Sequence, residues 1–175
     1  VLEETAFFNA AMPHLLSNDR DVLVKTVRGG QEQYSRWGYT TAQDGRTTPD
    51  ASAAFKMAVE QKNLFIDVVS YPDIIWNKSA LETEFYNDKQ DYTNHFRVGG
   101  AKLTLDGSPQ GKTAWLSHPY HVPPDGQSED YAGYAIMPDE KAIENLTLAF
   151  ENRWQIICHA NGDAAISMSL DAVAA

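Results

Sequence analysis

Cysteine is nearly missing from this chain. Cys158 is the single thiol among 175 residues, so no internal disulfide can staple the fold. That suits a reducing compartment, and we expect a cytoplasmic protein. Long apolar runs are missing as well: nothing reaches the roughly 18 residues that a membrane-spanning helix needs, and no signal-peptide pattern opens the chain. Positive charge is scarce. Fourteen Lys and Arg stand against 24 Asp and Glu, a net charge of −10, which argues against a nucleic-acid groove or an anionic membrane surface as partner. Neither GxGxxG nor the GxxxxGK motif with a following Ser or Thr occurs, so the common phosphate-cradling loops are excluded. Internal repeats and low-complexity segments are absent too. What is there is ordinary for a globular protein, 43% apolar and 22% charged, and long enough for a real core.

Helical and strand patterns alternate, the signature of β/α units around a mainly parallel sheet. Residues 2–16 and 20–36 read as helices, the second weakened at Gly29-Gly30. A β-branched run at 39–43 follows Gly38 and closes at Asp44-Gly45. Asp50 reads as the N-cap of a helix through Lys62 with Phe55, Ala58 and Val59 on its apolar side. LFIDVVSY (64–71) is a second strand, ended by Pro72. Residues 73–95 have no clear period, with a short helix expected at 79–86. A third strand carries Ala101, Leu103 and Leu105 on one face and Lys102, Thr104 and Asp106 on the other. A long loop (107–135), a helix over 139–152 striped by Ile143, Leu146 and Phe150, a fourth strand WQIICH (154–159) and a last helix complete the chain. Four such strands make half of an eight-stranded (β/α) barrel or a small open sheet.

Two residues draw attention. Lys102 points toward an interior where a charge costs several kcal/mol unless paired or neutralised. Either it pairs with Asp106 or a neighbouring carboxylate, or it does chemistry: a lysine that adds carbon dioxide becomes a carbamate able to bridge two metal ions. His159 shares a strand face with Gln155 and Ile157 and sits at the carboxyl end, the rim where α/β folds gather active sites. It reads as a structural hydrogen-bonding residue or a ligand. Cys158 points the other way and reads as packing. His118 and His121, three apart among prolines, lack a third ligand; His14 and His95 carry no pattern. Asp163 reads as a cap for the last helix.

KLTLDGSPQGKTAWLSHPY (102–120) followed by HANGDAA (159–165) resembles the amidohydrolase superfamily, in its amidohydrolase-3, YtcJ-like branch of metal-dependent hydrolases; VLEETAFF (1–8) and GYTTAQDG (38–45) are similar to that branch too. The resemblance runs in order over most of the chain. It implies a (β/α)8 TIM barrel, with residues 1–175 as its central part, about strands two to five. Lys102 then matches the strand-four lysine that is carbamylated in two-metal members, and His159 the strand-five histidine ligand. The cofactor implied is one or two divalent ions, zinc first, which would activate a water for hydrolysis. The long loop would cover the substrate, with Asp106, Ser108, Gln110, Trp115 and Tyr120 shaping its pocket.

The departures matter for mechanism. The paired strand-one histidines, the strand-six histidine and the strand-eight aspartate of that family have no counterpart here, so no catalytic base is assigned and the chain is expected to be inactive alone. The resulting expectation is part of a hydrolase of non-peptide C–N bonds in amide or cyclic amide small molecules. It would associate with itself or with the remainder of a parent barrel, since exposed sheet edges and apolar surface favour pairing. The competing reading is a non-catalytic α/β binding module or degenerate barrel.

Overall fold

The computed structural model describes residues 19–83, 86, 89 and 91–174; the helix expected at 2–16 and part of that at 79–86 lie outside them. The chain divides into two compact units, Val1–Lys102 and Leu103–Ala175.

The first unit opens with helix α1 (Arg20–Arg36), whose N-cap Asp19 accepts the Asp21 N–H at 2.9 Å. The expected weak point at Gly29-Gly30 lies within an unbroken helix, and neither glycine has a neighbour that a side chain would meet. Strand β1 (Thr41–Thr47), helix α2 (Pro49–Glu60), strand β2 (Asp67–Pro72) and strand β3 (Phe96–Val98) follow, forming a parallel three-stranded sheet in the order β1-β2-β3. The cap of α2 is Thr48 rather than Asp50: its hydroxyl accepts the Ala51 N–H at 3.3 Å, and Pro49 fills the first helical position. Proline there has its φ already helical and lacks only an N–H that the helix leaves unused. Ala54, Ala58 and Val59 are the buried positions of α2, and Phe55 stacks on Phe96 with centroids 5.4 Å apart.

The Lys102 strand begins earlier than its alternation implies. It starts as β3, breaks at Gly99-Gly100 and resumes as β4 (Ala101–Thr104). The break has a steric cause: a methyl on Gly99 would sit 2.6 Å from the Val69 side chain, so only glycine allows this approach to β2.

β4 leads into the second unit, where it forms a two-stranded sheet with β5 (Ile156–His159); the Leu105 N–H donates to the His159 carbonyl at 2.9 Å. Helices α3 (Asp139–Glu151) and α4 (Asp163–Ala174) contact one another. The stripe α3 buries is Ala142, Leu146 and Ala149, and that of α4 is Ala165, Met168 and Ala172. Of the stripe expected for α3 only Leu146 is buried, and Phe150 is 54% exposed. Cys158 is likewise exposed rather than packed.

Candidate functional site

The second unit is organised around one carboxylate. Asp106 follows β4 and is wholly buried. Its Oδ2 accepts the Trp115 N–H at 2.9 Å and the Gly162 N–H at 2.7 Å, and its Oδ1 accepts the Asn161 N–H at 2.9 Å. Three backbone donors thus satisfy both oxygens of this buried carboxyl. As placed, both oxygens serve the backbone, so Asp106 ties the β4 loop, the Trp115 segment and the β5–α4 turn together.

His159 ends β5, half-buried. Its Nε2 lies 3.1 Å from the Gly107 carbonyl, 3.0 Å from Asn161 Nδ2 and 3.9 Å from Asp106 Oδ1. Asn161 Nδ2 also donates to the Gly107 carbonyl at 2.9 Å. The strand end, the loop after β4 and the turn after β5 thus converge on one imidazole.

The long loop is built rather than loose. Ser108 donates its N–H to Thr113 Oγ1 at 2.9 Å and accepts the Gly111 N–H on its own hydroxyl at 3.2 Å. The Tyr120 hydroxyl donates to the Ala114 carbonyl at 2.9 Å, Tyr131 donates to the Lys112 carbonyl at 2.8 Å, and the two rings stack 5.9 Å apart. Burial, with the neighbouring Tyr131 and the Asp106 charge, holds the Tyr120 phenol above its ordinary value. Ser108, Trp115 and Tyr120 are half-buried, and Gln110 is exposed. The Ser117 N–H donates to Asp163 Oδ1 at 2.9 Å and its hydroxyl donates to Oδ2. These two bonds hold Asp163, the first residue of α4, below the usual carboxylate range. His118 Nδ1 lies 2.8 Å from the Ser117 hydroxyl; His121 is exposed, and His95 pairs with Asp67 at 2.8 Å.

In the first unit Lys102 is half-buried and bridges to Asp73 in parallel register, its carbonyl accepting the Ile74 N–H at 2.9 Å. Sequence reasoning missed what surrounds Asp73. That residue is buried, accepts the Ile75 and Trp76 N–H groups on Oδ1 at 2.9 and 3.1 Å, and takes Arg46 Nε on Oδ2 at 3.0 Å. The Arg46 guanidinium lies 4.7 Å from the Trp76 ring centroid. A signal was available: Arg46 and Asp73 each stand at the carboxyl end of a strand, where a charge has to find a partner.

Among the described residues no group of three or more His, Cys, Asp or Glu gathers where a metal ion could sit. His159 offers one imidazole, while the oxygens of Asp106 are already engaged. The described donors do not make up a complete metal site.

Comparison with known proteins places this geometry. No curated protein matches the chain. Two solved structures do: an uncharacterized metal-dependent hydrolase from Pyrococcus horikoshii OT3 (TM-score 0.72, 23% identity, over 97% of this chain and 32% of that one) and one from Pyrococcus furiosus (TM-score 0.71, 22% identity, over 96% and 33%). The chain therefore spans about a third of the length of the structures it resembles, and its fold is part of a TIM barrel. A model of the amidohydrolase family matches residues 1–175, end to end, and the chain belongs to that family.

Proposed function

We propose that this chain is the central part, about strands two to five, of a cytoplasmic metal-dependent hydrolase that cleaves non-peptide C–N bonds, amide or cyclic amide, in small molecules through a metal-activated water. Lys102 and His159 are its contribution to the metal ligands, zinc being the first candidate, in one or two ions. Asp106, Ser108, Gln110, Trp115 and Tyr120 shape the substrate side of the loop, and Asp106 also holds that loop in place. The observation that carries the reading is the family match along all 175 residues, together with a lysine on β4 and a histidine at the carboxyl end of β5. The remaining ligands and the base belong to other parts of the protein, so the chain alone is inactive.

One observation favours the competing reading of a non-catalytic binding module: the described residues bring no three metal-ligating carboxylates, thiols or imidazoles together. Elemental analysis of this chain beside a longer protein that contains it separates the two. Near-stoichiometric metal in the longer protein and none here is the expected result. There, Lys102→Ala and His159→Ala should each cut metal affinity by more than the roughly 10- to 100-fold typical of outer-shell partners. Metal in neither sample would favour the binding module.

A further inference from the structure

The Arg46–Asp73–Trp76 cluster lies in the first unit, at the carboxyl ends of β1 and β2. Asp73 is 4% exposed in its side chain and engaged by three donors, so the guanidinium it receives is fixed in place. That guanidinium in turn sets the Trp76 indole, which is still 56% exposed. A large aromatic face is thus kept open to solvent and at the same time held rigid from below. Asp73 is also the bridge partner of Lys102. Bridged residues point to the same face of a sheet, so the cluster stands one strand from the lysine of the proposed metal site.

We infer that Trp76 is a stacking platform for a planar, uncharged aryl or heteroaryl group of the substrate, with Arg46 and Asp73 as its positioning residues. The inference rests on the proposed amide hydrolysis and narrows it to aryl or heteroaromatic amides. Charge selects this class. Asp73 neutralises Arg46, so the platform offers no net cation to a carboxylate, whereas a rigid indole rewards a flat π-face in offset stacking. An aliphatic group of equal size gains the buried area but lacks the stacking.

Benzamide and cyclohexanecarboxamide, titrated into this chain without metal, provide the test, read in every variant from the relaxation of the ligands' own proton resonances and, where Trp76 is present, also from its indole N–H resonance. Benzamide is expected to bind about fivefold or more tighter than its saturated counterpart. Trp76→Leu should abolish that preference, while Trp37→Leu, at a position 72% exposed, should leave it unchanged. Arg46→Met should weaken benzamide without removing the indole signal. Equal affinity for the two amides, or a preference that survives Trp76→Leu, would overturn the inference. Neither readout involves turnover. A longer protein that hydrolyses aliphatic and aryl amides alike would overturn the platform and leave the hydrolase intact. Aryl-selective binding without metal-dependent hydrolysis would overturn the hydrolase and keep the platform as a binding site.

Discussion

Asp106 is where a single side chain decides most. Its two oxygens terminate three backbone N–H groups from two separate segments, and charge-assisted bonds of this kind are the strong ones. Asp106→Asn keeps the shape, replaces one acceptor oxygen by an NH2 that faces a donor and removes the charge. We expect it to cost about 3 kcal/mol or more of stability, read as a lower urea midpoint at unchanged slope. Asp163 is tuned more gently, at the surface, by Ser117. Because its folded pKa is depressed, the stabilisation it contributes is complete above about pH 4. It is lost as pH falls through the folded value. Ser117→Ala should move the Asp163 carboxyl titration upward toward the ordinary range, which carbon-detected NMR follows directly. An unmoved midpoint would mean that the hydroxyl bond does not persist in solution.

At the scale of elements, the joints are glycines and one glutamine rather than large apolar residues. A methyl on Gly162 would overlap the Trp115 carbonyl, so Gly162→Ala must push the β5–α4 turn away from the loop that Asp106 binds. A loss of about 2 kcal/mol or more is expected, with the Trp115 environment altered in near-UV circular dichroism. In the first unit, buried Gln31 of α1 accepts the Phe65 N–H at 2.7 Å and donates to the Asn63 carbonyl at 3.3 Å, securing the helix to the entry of β2. Gln31→Leu leaves those backbone groups unpaired, and about 1–3 kcal/mol of stability should go with them. Helix existence was legible at this scale, and so was the face of α2, where Ala58 and Val59 are buried and Phe55 stacks on Phe96; the face of α3 was not. The span of α1 follows from its periodicity, whereas the buried face of α3 depends on which elements pack against it. Similarly, the Thr48-Pro49 pair marks the start of α2 more sharply than Asp50 does.

At the scale of the whole molecule, the described residues form sheets of three and two strands that carry unmatched surface. Among the described residues β1 has a partner on one side only, and Phe150, Ile166, Leu170 and Val173 of α3 and α4 are exposed. Edges and apolar patches of this kind favour association. Sedimentation velocity of the isolated chain should show a concentration-dependent rise in mass; a single monomeric species at every concentration would count against self-association.

Composition and period already determined much: a cysteine-poor acidic chain, alternating helices and strands, and a lysine and a histidine on strands, because burial and pleat impose those patterns locally. The motifs around Lys102 and His159 added a family that matches the chain from end to end. Tertiary structure alone decided that Asp106 ties the Trp115 segment to the β5–α4 turn through three backbone N–H groups. It also decided that Arg46, Asp73 and Trp76 form one rigid cluster and that Gly99 interrupts its strand. Each of these depends on groups tens of residues apart reaching hydrogen-bond or contact distance, and no local pattern encodes which distant partner will be there.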